Sequence, residues 1–83
     1  MNIQVYNLSL NTSDRDVRKI FAPFGVVVVA EVVRDKLNGR SKCNAMVEML
    51  IESEGRQAIE SLHQTLLNGK MISVSERLEP PKW

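Results

Sequence analysis

The stretch Lys42-Cys43-Asn44-Ala45-Met46-Val47-Glu48-Met49 alternates in kind, with Cys43, Ala45, Val47 and Met49 on one parity and Asn44, Met46 and Glu48 on the other. Successive side chains of a strand point to opposite faces, so this spacing predicts a strand with a core side and an open side. Just before it, residues 35–41 carry Asn38-Gly39, a turn signal between two strands. Ahead of that turn, residues 26–34 hold six valines in nine positions, a β-branched run that reads as a strand. The middle of the chain is therefore expected to be a hairpin.

Helices are expected on either side of the hairpin. Asn11-Thr12-Ser13-Asp14 is a helix start, with Ser13 or Thr12 as N-cap and Asp14 and Asp16 suited to the positive helix end. Val17, Ile20, Phe21 and Phe24 then recur at spacings of three and four, and Pro23 and Gly25 end the helix. Ser53-Glu54 opens the second helix, whose apolar stripe is Ala58, Ile59 and Leu62. Outermost are two more strands. Residues 3–8 place Ile3, Val5 and Leu8 toward a core and Gln4 and Tyr6 away from it, while residues 71–77, after the Asn68-Gly69 turn, turn Ile72 and Val74 inward. A domain is thus expected over residues 1–78, and residues 79–83, with Pro80-Pro81, form a short C-terminal tail. The order is β-α-β-β-α-β. It implies an α+β, ferredoxin-like sandwich whose four-stranded antiparallel sheet carries both helices on one face and leaves the other open.

At 83 residues there is room for one core, and an apolar fraction of 43% with 25% charged residues is that of a globular chain. The formal charge of +1 gives no general basic field, so any hold on a polyanion must come from a local patch. Cys43, the sole cysteine, allows neither an intramolecular disulfide nor a cysteine-based zinc site and fits a reducing, cytoplasmic location. No basic segment followed by an apolar stretch marks a signal peptide, and residues 26–30, the longest apolar run, are too few to span a membrane. A soluble chain is expected. His63 is the single histidine and falls on the second helix, the carboxylates are scattered, and neither a phosphate-binding glycine loop nor a metal-ligand cluster is present. Neither an enzyme nor a bound metal or cofactor is expected.

Several segments together resemble the RNA-recognition-motif family, over roughly residues 2–77. Ile3-Gln4-Val5-Tyr6-Asn7-Leu8 is similar to the family's first-strand hexamer, and residues 40–49 stand where its third-strand octamer belongs. Phe21-Ala22-Pro23-Phe24-Gly25 resembles the helix-ending F-x-x-F-G signature. Val33-Arg34-Asp35-Lys36 with Gly39-Arg40-Ser41-Lys42, and later Ala58-Ile59, Leu62 and Asn68-Gly69-Lys70, fall in register. Small single-domain bacterial members look similar. The resemblance implies reading of single-stranded RNA by stacking bases on rings of the first and third strands. Those ring positions correspond here to Gln4, Asn44 and Met46, none of them aromatic. Since a base stacked on a ring is worth about 1–3 kcal/mol, weak binding with little sequence preference is implied.

On this resemblance Tyr6 is the candidate ring, with the alternative that it only covers a neighbouring side chain. Gln4 and Asn44 carry amides that either reach base edges or simply face water, and Met46 offers apolar contact. Arg34, Lys36, Arg40 and Lys42 cluster at the turn between the second and third strands, with Lys42 where the family places a phosphate-reaching cation. Arg77 and Lys82 extend that track. Single-stranded RNA, or single-stranded DNA, is the implied partner, and no membrane. A competing expectation comes from Val29, Glu31 and Val33, which share the open face with Tyr6, Met46 and Glu48: apolar spots and carboxylates suit protein contact. The valine-rich second strand would also be an edge able to pair with a second copy in a homodimer. Trp83 folds back over the sheet, binds a partner, or is a loose end.

Overall fold

The computed structural model describes residues 1–78. In chain order these form β1 (Asn2–Tyr6), α1 (Asp14–Phe21) running into a 3-10 turn (Ala22–Phe24), β2 (Val27–Arg34), β3 (Ser41–Met49), α2 (Glu52–Leu62), β4 (Leu66–Leu67), β5 (Lys70–Met71) and β6 (Ser73–Glu76). The main sheet has the order β2-β3-β1-β6 and is antiparallel throughout. This is the expected βαββαβ sandwich, with β6 as the fourth strand and a small β4–β5 ribbon added.

Local chemistry explains where α1 begins. Ser13, not Thr12, is its N-cap: the Ser13 N–H donates to Asp16 Oδ2 at 3.0 Å and the Asp16 N–H donates to Ser13 Oγ at 3.2 Å. Thr12 is buried instead, and its hydroxyl accepts from Asn68 Nδ2 at 3.0 Å. The helix leads into the turn that stops at Gly25, which sits at φ +157°, where an added Cβ would run into the Glu54 carboxylate.

The core lies between the sheet and the two helices. Ile3 and Val5 of β1, Val32 of β2, Ala45, Val47 and Met49 of β3 and Val74 of β6 are buried against Val17 and Phe21 of α1 and Ala58 of α2. Gly55 is buried as well, because the Met1 side chain packs where a Cβ would stand.

Three segments depart from simple alternation. β1 ends at Tyr6 rather than Leu8 because Asn7 takes φ 64°; that left-handed residue flips the parity and returns Leu8 to the core. The last strand is Ser73–Glu76, shorter than the expected residues 71–77. Met71 leaves the sheet to pair with Leu66 across a two-residue turn whose Asn68 and Gly69 have φ 52° and 81°, as a tight hairpin turn requires. In β2, Val27 pairs with Met49 and Val29 with Glu48, so Val28 bulges without a partner, and Val26 and Val28 are exposed.

The sheet edges are not bare. On β2, the Val32 N–H donates to Asp14 Oδ1 at 2.7 Å and Arg18 Nη1 donates to the Val27 carbonyl at 2.9 Å. On β6, the Val74 N–H donates to His63 Nδ1 at 3.0 Å. The valine-rich edge, expected to be an open pairing template, is therefore closed at two points because α1 runs alongside it.

Candidate nucleic-acid interface

Strand register assembles the open face. Gln4 lies opposite Met46 and Tyr6 opposite Asn44 on β3, while on the other side Gln4 lies opposite Ser75 and Tyr6 opposite Ser73. The intervening Ile3, Val5, Ala45 and Val47 are buried under the helices, so Gln4, Tyr6, Asn44 and Met46 project together away from them. Tyr6 is 43% and Met46 39% exposed, and Gln4 and Asn44 are half-buried.

Tyr6 is held in place. Its hydroxyl donates to Gln4 Oε1 at 2.9 Å, and Gln4 Nε2 donates to Ser75 Oγ at 3.3 Å. Both ends of the Gln4 amide are engaged within the protein, which gives it the part of orienting the ring. On β3, the buried Oδ1 of Asn44 has no hydrogen-bond partner among the described residues. A buried acceptor left unpaired costs about 1–3 kcal/mol, so this oxygen favours any donor brought to it.

The cations divide into groups. Lys42 opens onto the same shallow depression as Tyr6, Asn44, Met46 and Val33. It does so beside a bulge: Ser41 pairs with Arg34 and Ala45 with Val32, so three β3 residues face one of β2, and the half-buried Cys43 takes φ 62°. Arg34 and Arg40 border a second hollow with Leu10 and Ser41. Lys36 is exposed in the turn and borders neither. The turn is well defined, because Asp35 Oδ1 accepts from the Leu37 N–H at 2.8 Å and Asn38 Oδ1 from the Arg40 N–H at 2.9 Å. Among the described residues the ion pair is Arg56–Glu52 on α2, so none of these four cations is neutralised by a carboxylate.

Charge splits the face. Glu31 lies opposite Met46 and Glu48 opposite Val29, placing both carboxylates away from Tyr6 and Lys42, although Glu31 shares a hollow with Val33 and Arg34. Phosphate is attracted to one end and repelled at the other.

Ser75 escapes a reading by motif, and Arg77, expected to extend the cationic track, reaches the face from just beyond β6. Ser75 lies 71 residues from its partner Gln4, and no local spacing announces the pair; parity alone, with Val74 inward, turns Ser75 outward. Arg77 borders the depression with Tyr6 and Asn44, and its Nη1 touches Met46 Sδ. Lys82, Trp83 and the tail of residues 79–83 lie outside the described residues. Among the described residues, no group of three or more His, Cys, Asp or Glu side chains is placed to hold a metal, and no helix is long and apolar enough to cross a membrane.

Comparison with known proteins places these features in context. The RNA recognition motif family profile matches residues 3–73. A rice chloroplastic protein, organelle RRM domain-containing protein 1, is 37% identical over 70 residues, covering 84% of this chain and 18% of that protein. The chain spans less than a fifth of the length of the first curated relatives it matches. Among solved structures, the RNA-binding protein PG1 superposes with a TM-score of 0.92 at 36% identity, covering 99% of each chain. A structure described as an Sxl-lethal protein/RNA complex superposes at 0.84 with 31% identity, covering 92% of this chain and 47% of the other.

Proposed function

This chain belongs to the RNA recognition motif family, and from that premise we propose that it binds single-stranded RNA on the open sheet face, weakly and with little sequence preference. The observation that carries the proposal is the register that sets Tyr6 beside Asn44, with the unneutralised Lys42 on the same depression. A relative solved in complex with RNA supports it.

The mechanism follows from those groups. One unstacked base lies on the Tyr6 ring, whose tilt is fixed by Gln4 and Ser75. Asn44 meets the base edge and Met46 its apolar surface. Lys42, with Arg40 and Arg34 farther along, holds phosphates, and Lys36 steers from the turn. Phosphate contacts carry no sequence information, and a single tyrosine stacks every base, so specificity is low. With one aromatic platform and two or three phosphate contacts, the dissociation constant is on the order of that for non-specific binding, roughly 1–100 μM at physiological salt.

Fluorescence anisotropy with labelled short oligomers of each base tests this. Saturable binding at low salt, affinities within about tenfold across the four, and weakening as salt rises are the expected results. No saturation with any oligomer at low salt contradicts it. A second function, protein contact or self-association, has its support in the exposed valines and carboxylates at the other end of the face. The hydrogen bonds closing the β2 edge argue against pairing there. A concentration-dependent dimer in sedimentation, combined with no RNA binding, favours that alternative.

A further inference from the structure

We propose that Arg77 supplies the stacking plane that β3 lacks: its guanidinium, held at its edge by Met46 Sδ, receives a second nucleobase. The inference rests on the RNA-binding function proposed above and assigns a further residue to the same face.

Arg77 follows β6, and its backbone N–H donates to the Asn2 carbonyl at 2.8 Å, which fixes its Cα beside β1. From there the side chain crosses β1 to reach β3, where Nη1 meets Met46 Sδ. It borders the hollows on both sides of Met46: one with Tyr6 and Asn44, the other with Val29 and Glu48. Glu48 forms no ion pair with it among the described residues. The guanidinium is thus placed over the centre of the sheet rather than extended into solvent.

That placement suits a planar group. A guanidinium is delocalised and weakly hydrated, and it stacks on aromatic planes, whereas an ammonium is a compact, strongly hydrated point charge. Single-stranded RNA recognition uses arginine planes as well as rings for unstacked bases. The Nη1–H points at the polarizable Met46 thioether, which holds the guanidinium by its edge. One base rests on Tyr6, its neighbour on Arg77, and Lys42 holds the phosphate on the β3 side.

Binding of a short mixed-sequence RNA by the full chain, measured by anisotropy at low and physiological salt, tests this with Arg77→Lys, Arg77→Ala and Lys42→Ala. Stacking predicts that Arg77→Lys and Arg77→Ala weaken binding alike, by about three- to tenfold at both salts. The loss from Lys42→Ala shrinks as salt rises. Wild-type affinity in Arg77→Lys makes Arg77 a phosphate contact and overturns the inference, as does wild-type affinity in both Arg77 variants. A wild-type chain that binds no RNA removes the function and the inference together, and is told apart by the wild-type titration alone.

Discussion

Two faces of the same strands differ completely. Ile3, Val5, Ala45 and Val47 are excluded from water under the helices, while Gln4, Tyr6, Asn44 and Met46, one position along in each strand, stand on the open side. A side-chain period of two lets each strand carry two independent patterns. The buried pattern admits only close-packed apolar groups, since lost volume or an unpaired polar atom there costs several kcal/mol. The open pattern is free to change. That freedom is why the non-aromatic Gln4, Asn44 and Met46 stand on the open side without disturbing the fold.

The contrast can be broken experimentally by substitutions that act on one face only. The largest effect is expected from Phe21→Ala under the sheet, which costs about 3–5 kcal/mol, a large share of what holds a small domain together. Urea unfolding followed by circular dichroism measures it. Next is Tyr6→Ala on the open face, expected to reduce RNA affinity by about 1–3 kcal/mol while changing stability by less than about 0.5 kcal/mol. Anisotropy and urea melts on the same sample separate the two; equal loss in both would merge the faces. Asp14→Ala removes the acceptor for the Val32 N–H. It should cost about 1 kcal/mol of stability, leave RNA affinity unchanged, and show self-association by sedimentation if the freed edge is sticky.

The smallest effect is one of pH. The Ser13 backbone N–H, bonded to the Asp16 carboxylate, holds that carboxyl below its ordinary value of 3.8. A depressed carboxyl contributes its stabilisation fully above the ordinary value and loses it as pH falls through the lowered one. Amide protection factors in the first turn of α1 should therefore fall below about pH 4, with Tyr6 signals unmoved.

Much of this was legible in the sequence because contrasting residue types sat on opposite parities. Over residues 3–6 and 44–49 the residue types alternate, so which of them share a face followed from spacing. The choice between Thr12 and Ser13 as N-cap, by contrast, is settled only by the Ser13–Asp16 hydrogen bonds. β2 was harder: a run of valines has no contrast, so nothing in it marks the bulge at Val28. The Asn68-Gly69 signal reads as a turn before a strand over residues 71–77, whereas it closes its own two-residue ribbon and takes Met71 out of the sheet. Long-range partners left no trace. Tyr6 leaning on Gln4, and Gln4 on Ser75, depends on β6 lying beside β1, and so does Arg77 reaching Met46. The edge bonds of Asp14, Arg18 and His63 likewise exist only once helix and sheet are packed.

The most direct test is an amide NMR titration of the full chain with short mixed-sequence RNA at low and physiological salt. Shifts concentrated at Tyr6, Lys42, Asn44 and Arg77, fading as salt rises, with the helix surfaces silent, are the predicted outcome. Spectra that stay unchanged, or shifts confined to α1 and α2, would contradict the assignment of RNA binding to the open face.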